Sequence, residues 1–352
     1  MIPSLTEDYG GIWLRNLGPE SDVVMSTRIR LARNVDGKPF PSRIKEPARV
    51  ALESELREAV QAAEISDALV YRNLGALSPL ERQMLVERHI ISRELANGSG
   101  DRGVSFGVRD FVSVMTNEED HLRIQVIRAG FSVRAAFEAA SEADRRLERR
   151  LPYAWHDKFG YLTACPTNCG TGMRVSVMMH LPALVLMKQI EKVFQAAAKV
   201  GLVVRGFYGE GTNASGDFFQ ISNQRTLGMT EEQILAVVER ITPKIIEYER
   251  GVRQELRESN RNLLEDKVWR ALAVLRYARK LTSDEAMDRL SAVRLGAVTG
   301  LFPDVMIPDV NELFVLTQPA HLQAVRGKEI GPPERDVLRA SLVRDRLKPE
   351  KN

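Results

Sequence analysis

The 352-residue chain has almost no cysteine: Cys165 and Cys169 are the only two, both in "CPTNCGTGMR" at 165–174. Two thiols exclude a disulfide framework, and a reducing compartment keeps them as thiols. Zinc asks for four ligands, yet only His156 and His180 lie near this turn in sequence, so no side-chain metal site is expected. Long apolar runs are missing as well. "LPALVLM" at 181–187 falls far short of the ~20 residues that cross a bilayer, which leaves no membrane partner or span. The start, "MIPSLTEDYGGIWLRN", lacks the basic, apolar and small-residue regions of a signal peptide, so a cytoplasmic location is expected. A net charge of +3 gives no overall pull on nucleic acid, and no direct nucleic-acid partner is expected. The phosphate loop G-x-x-x-x-G-K-[ST] is absent, since the Gly-Lys pairs at 37–38 and 327–328 run on into Pro39 and Glu329. Lysine is scarce too, at 12 of 50 basic residues, so 38 are arginine. A GC-rich coding bias accounts for most of that excess, so only the positions of individual arginines carry meaning.

The length allows a large core and two domains. Helical spacing of apolar residues predicts helices over 47–63 and 130–151. Between them, 111–127 reads as two alternating runs about a polar turn at 117–120, a β-hairpin pattern. Further strands are expected over 174–181, 202–209 and 217–223. From Thr230 the strands stop: "TEEQ" and "TSDE" are capping-box patterns, 230–300 is helix-compatible apart from Pro243, and Pro332–Pro333 opens a last helix. The fold class is α+β, a largely antiparallel sheet flanked by helices and followed by an all-helical C-terminal domain, with the division set at 1–255 and 256–352 and the core motifs in 26–230.

Five arginines stand at strand or turn positions. Arg28 and Arg30 in "STRIRLARN" are two apart and share one face of an extended segment. Arg123 leaves the hairpin, Arg174 follows the cysteine turn, and Arg205 opens "RGFYGEG". Each alone fits a solvated surface arginine; together in one place they require a polyanion such as a triphosphate. Glu119 in "NEEDHLR" and Glu210 in "RGFYGEG" each put a carboxylate near such an arginine, and paired carboxylates clamp a guanidinium and draw a proton from it. A plain hydrophilic hairpin turn explains "EED" equally well. Cys165 has two readings, an inert buried thiol or a thiolate favoured by an electropositive turn.

The ordered motifs "STRIRLARN", "NEEDHLRI", "CPTNCGTGMR", "RGFYGEG" and "ISNQRTLGMT" resemble the catalytic domain of the phosphagen (guanidino) kinases over about 20–255. The resemblance is closest to their protein-arginine-phosphorylating bacterial branch. Only 25 residues precede Ser26, too few for the helical N-terminal domain of the small-molecule kinases, and "RDVLRA" at 335–340 matches that branch's R-D-x-x-R-A. This resemblance implies transfer of the ATP γ-phosphoryl group, with Mg2+, to arginine side chains of proteins. It assigns the phosphates to Arg28, Arg30, Arg123, Arg174 and Arg205, a nucleotide-site role to His89, and the substrate guanidinium to Glu119, Glu210 and Cys165. Nucleotide contacts extend over Ser26, Thr27, Arg28, Ile29 and Arg30, over Arg174, Val175, Ser176, Val177 and Met178, and over Arg205, Gly206, Phe207, Tyr208, Gly209 and Glu210. Arg335, Asp336, Val337, Leu338, Arg339 and Ala340 form a phosphoarginine or allosteric pocket, although Arg335 and Arg339 at i,i+4 also fit an exposed, locally paired helix face. A homodimer, a zinc-containing activator protein, Clp protease machinery and a part in stress regulation are implied on the same basis. The motif's fifth residue, usually aliphatic, is here Cys169, which opens a redox effect. Two other functions share these motifs: a small-molecule guanidino kinase and a phosphoarginine-binding adaptor.

Overall fold

A computed structural model of the chain describes residues 12–107, 112–206 and 215–348. Its strands are β1 (Val24–Arg33), β2 (Leu69–Asn73), β3 (Gly103–Gly107), β4 (Val112–Thr116), β5 (Leu122–Ala129), the short pair β6 (Trp155–His156) and β7 (Gly160–Tyr161), then β8 (Met173–His180), β9 (Leu202–Arg205) and β10 (Phe218–Asn223). Eight of them form one antiparallel sheet in the order β2-β3-β4-β5-β1-β8-β10-β9. Alternation divides its two faces. Ile29, Leu31, Ile124, Val126, Val175, Val177 and Ile221 all point one way and are fully or almost fully buried. Each such side chain contributes roughly 2 kcal/mol through burial, and the helices Val133–Glu148 and Glu231–Ser259 supply the covering Ala136, Ala140, Leu147, Ile234, Leu235 and Val238.

The expected hairpin is β4–β5, and the strands expected at 174–181 and 217–223 are β8 and β10; of the one expected at 202–209, β9 covers Leu202–Arg205, and 207–209 lie outside the described residues. Helix Glu231–Ser259 starts on a complete capping box between Thr230 and Gln233 and runs on through Pro243. Proline leaves an unpaired carbonyl one turn back, but Ile245, Ile246 and Val252 beyond it pack into the same core as Val238 before it, which keeps the helix in one piece. The division expected at 255/256 falls in this helix's last turn. Behind it come the helices Arg261–Tyr277, Ser283–Val298, Ile307–Leu316, Pro319–Arg326 and Pro332–Arg346. They share one hydrophobic cluster with the sheet; Phe218 of β10 meets Phe314 edge to face at 4.8 Å. A smaller cluster, with Leu74, Leu85, Val86, Leu95, Val104 and Met115, fills the space beneath helix Pro79–Glu87.

No helix among the described residues is long and apolar enough to cross a membrane.

Candidate active site

The other face of the sheet carries the arginines. In the register Arg30 lies opposite Gln125 on β5 and Arg174 on β8, Arg28 lies opposite Ser176, Ala32 lies opposite Arg123, and Arg205 on β9 lies opposite Gln220 on β10. Directly opposed residues share a face, so strands from separate parts of the sequence aim Arg28, Arg30, Arg123, Arg174 and Arg205 into one cleft of about 820 Å3, well within the size range of small-molecule sites. Arg33, one parity off on β1, goes to the opposite face: it pairs with Asp144 at 2.7 Å and lies over the Tyr161 ring at 3.6 Å.

The same alternation narrows the expected nucleotide segments. Thr27, Ile29, Val175 and Val177 turn to the helix-covered face and are completely buried, so their side chains are core and cannot reach a ligand in the cleft. Thr27 Oγ1 donates to Gly130 O at 2.7 Å. Ser26, Ser176 and Met178 line a small recess beside Arg28 and His89 instead. Gly206 is buried next to Arg205. Phe207, Tyr208, Gly209 and Glu210 lie outside the described residues.

Convergence has an electrostatic signature. Burial, followed by the charges of Arg123 and Arg174, lowers the Arg28 guanidinium to about 10. Burial and then the Arg28 charge lower Arg30 strongly as well. Gln220 Oε1 accepts from Arg28 Nη2 at 2.5 Å. Such a cluster is costly until an anion enters it. His89 lines the cleft in a left-handed conformation, φ 59°, with its ring 5.8 Å from that of Trp13. Burial, then the Arg28 charge, push its imidazole down to about 3, so it is neutral at physiological pH.

Opposite the arginines stands the β4–β5 turn. Asn117 takes φ 53°, a value asparagine tolerates, and its amide donates to His121 O at 3.0 Å. Glu53, buried under the turn, accepts from Thr116 Oγ1 at 2.6 Å, Tyr71 OH at 2.9 Å and Asn117 Nδ2 at 3.1 Å. Gly103 makes room for it, because a Cβ there would come within 2.4 Å of Glu53 Oε1. From this turn Glu118 and Glu119 project into the cleft. Glu118 pairs with Arg123 at 2.7 Å and accepts from Ser92 Oγ at 2.9 Å; Glu119 lies 3.5 Å from Arg123 and keeps 44% of its side chain exposed. Burial, then the Asp120 charge, raise the Glu119 carboxyl above its ordinary value, opposed by Arg123.

The next residue ties this turn to the cysteine turn. Asp120 Oδ1 accepts from Asn34 Nδ2 and from the amide of Ala164, both at 2.7 Å. Cys165 follows directly, with its Sγ 3.0 Å from Thr167 Oγ1, and Pro166–Asn168 form a single 3-10 turn. Thr226 Oγ1 spans that turn's carbonyls at Thr167 and Cys169, at 2.8 and 2.7 Å. Gly170 and Gly172 have φ of 100° and 61°, and a Cβ on either would collide with the backbone of Thr226 or Ala32. Both cysteines are free thiols; Cys169 points away to Thr163, Oγ1 to Sγ 3.3 Å.

Glu118, Ser92, Asn168 and Gln220 also line this cleft, although the sequence reading gives none of them a role. Glu118 had a signal, since it adjoins Glu119 at a turn tip where two successive side chains both reach the ligand side. Ser92 and Gln220 had none.

The C-terminal motif divides. Arg339 is 1% exposed, which removes the exposed-face reading: Nε donates to Thr317 O at 2.9 Å, and Nη1 to Leu281 O and Asp336 Oδ1, each at 2.7 Å. Ala340 is buried in the core, Val337 is exposed, and Arg335, Asp336 and Leu338 are half-buried. Asp336 thus already holds a guanidinium, that of Arg339.

Comparison with known proteins agrees with this geometry. Residues 51–252 match the ATP:guanido phosphotransferase C-terminal catalytic domain, and residues 261–352 match the protein-arginine kinase McsB C-terminal domain. The protein-arginine kinase of Symbiobacterium thermophilum is 48% identical over 95% of this chain and 96% of its own length. That of Moorella thermoacetica is 46% identical over 98% and 99%. Among solved structures, the duplicated taurocyamine kinase of Schistosoma mansoni, with bound transition-state-analogue components, shares the fold at TM-score 0.60 and 23% identity, over 80% of this chain and 41% of that one. Lombricine kinase matches at TM-score 0.58 and 25% identity, over 71% and 72%. The chain belongs to the ATP:guanido phosphotransferase family and, within it, to the protein-arginine kinases.

Proposed function

We propose that this chain transfers the γ-phosphoryl group of ATP to the guanidinium of arginine side chains in proteins. The observation that carries this reading is one cleft holding five arginines on one sheet face, with Glu118 and Glu119 on the turn facing them. Arg28, Arg30, Arg123, Arg174 and Arg205 bind the phosphates and neutralise the charge that spreads over the transferring group. Glu119 and Glu210 align the substrate guanidinium. One of them takes the proton released as the new N–P bond forms and the bond from γ-phosphorus to the β-bridging oxygen breaks, leaving ADP. A guanidinium is a weak nucleophile because its lone pairs are delocalised and its pKa exceeds 12, so this alignment and proton removal are the central task of the site. Cys165, at the far end of the Asp120 tie, assists at the same guanidinium.

No group of three or more His, Cys, Asp or Glu side chains that could hold a metal exists among the described residues. A Mg2+ arriving on the nucleotide and keeping most of its water would meet Glu118, the carboxylate that lines the cleft beside Arg123. Bound there, the ion neutralises phosphate charge and orients the leaving group.

By the same reading the protein works in the cytoplasm as a homodimer, with Arg335 and Asp336 receiving a phosphoarginine, and it acts with a zinc-containing activator and Clp protease machinery in stress regulation. The kinase reading is tested by incubating the purified chain with Mg-ATP, an arginine-rich protein and free arginine, then measuring acid-labile phosphoarginine by phosphorus NMR. Transfer to the protein and its loss in Glu210→Ala are expected. Transfer to free arginine alone indicates a small-molecule kinase, and no transfer at all indicates an adaptor.

A further inference from the structure

Helix Pro79–Glu87 ends one residue short of the turn that carries His89 into the cleft. A left-handed backbone at a non-glycine residue persists only where its surroundings over-determine it. Part of that constraint is local: His89 O accepts from Gln125 Nε2 at 2.7 Å, and the His89 amide donates to Val86 O at 2.9 Å. The rest comes from far along the chain. The Glu87 carboxylate accepts from the amides of Ala320 and His321, at 3.0 and 3.1 Å, and from His321 Nδ1 at 2.8 Å. Arg88 Nε donates to His321 Nε2 at 3.0 Å.

These bonds fix the imidazole's tautomer. Nδ1 carries the hydrogen toward Glu87, which leaves Nε2 as the acceptor for Arg88. Burial lowers the His321 pKa, in keeping with this neutral form. The His321 side chain is 4% exposed and bonds to both residues immediately before His89. Helix Pro319–Arg326 is itself held, because Thr317, two residues before it, gives its carbonyl to buried Arg339.

We propose that His321 is a positioning residue of the nucleotide site: it grips Glu87 and Arg88 together and so holds His89 in the orientation that a bound nucleotide meets. This rests on reading the cleft as the ATP site. The C-terminal helices thereby take part in nucleotide binding without touching the nucleotide.

The full-length chain tests this with His321→Asn, whose amide can keep the Glu87 bond but is too short for Arg88, and His321→Gln, whose oxygen reaches the Arg88 position. His321→Asn is expected to raise KM for Mg-ATP about tenfold, with kcat and KM for the protein substrate changed by less than about twofold. His321→Gln is expected to recover most of the loss. An unchanged KM for Mg-ATP in His321→Asn, a kcat loss alone, or equal KM increases in both variants would overturn the proposal, since each indicates a general structural role or none. Arg30→Met is the separate control: if it binds Mg-ADP as tightly as the unaltered chain, the reading of the cleft fails, whatever His321 does.

Discussion

The carboxylate of Asp120 stands 2.7 Å from the amide of Ala164, so the turn that presents Glu119 and the turn that presents Cys165 hang from a single oxygen. That oxygen also holds Asn34, the residue just after β1. Asp120→Ala is expected to destabilise the fold by about 2 kcal/mol, the scale for losing a buried charged acceptor, and to lower kcat about tenfold or more through misplacement of the reacting groups. Chemical denaturation and steady-state kinetics check both. A variant with reduced stability and full kcat would show that the two turns are positioned independently.

Glu119→Gln is expected to reduce phosphoryl transfer by about 10^2 or more, the scale for losing a group that aligns the reacting guanidinium, while Mg-ADP still binds. Because burial and Asp120 raise the Glu119 carboxyl, it gains its proton at a higher pH than an ordinary glutamate. An acid limb of the kcat/KM profile set by Glu119 is therefore expected at a higher pH than for an ordinary glutamate, with activity falling as pH falls through it.

Arg30→Met separates stability from function. Removing one of several mutually repelling, desolvated cations is expected to stabilise the ligand-free protein by about 1 kcal/mol, as at other strained functional positions, while abolishing activity. Differential scanning calorimetry in the absence of nucleotide reads the first effect. A lower melting temperature would mean that the cluster is already satisfied without an anion.

Glu53 makes stability depend on pH. Its carboxyl, raised by burial from 4.5 to about 7, binds a proton more tightly in the native than in the unfolded chain. The resulting stabilisation is complete below pH 4.5 and is lost as pH rises through about 7, a change of roughly 3 kcal/mol. Urea denaturation at pH 5 and pH 8 is expected to show this decline, and Glu53→Gln is expected to flatten it.

Arg335 and Arg339 are expected to behave differently despite sharing one motif. Arg339→Ala leaves Asp336 and two buried carbonyls unpaired and is expected to cost about 3–5 kcal/mol. Arg335→Ala is expected to change stability by less than about 0.5 kcal/mol and to remove phosphoarginine binding, measurable by calorimetric titration with the free phosphoamino acid.

The parity of "STRIRLARN" carried more of the site than any other stretch of sequence. Spacing by two placed Arg28 and Arg30 together, and β1 became the strand on which β5 and β8 align Arg123 and Arg174. The same rule, applied to the neighbours, removes Ile29, Val175 and Val177 from the ligand side. The edge strand β2 and its neighbour β3 were not legible, because every residue of β3 is buried and β2 is uniformly half-buried, so neither alternates. Glu53 and His321 were invisible for a different reason. Each reads locally as an ordinary helix residue, and the partners Thr116 of Glu53 and Glu87 of His321 lie 63 and 234 positions away.

The Phe218–Phe314 contact bears on how this enzyme can be divided. A gene fragment ending near residue 255 would translate a sheet that faces solvent through the paired Phe218 of β10 and His180 of β8, both fully buried in the whole chain, Phe218 against Phe314. Such a fragment is expected to aggregate when expressed alone. Mixing it with the separately made C-terminal piece should restore a soluble assembly, as in split-protein complementation. Exchange of C-terminal modules between relatives would then succeed only when this aromatic contact is carried across along with them.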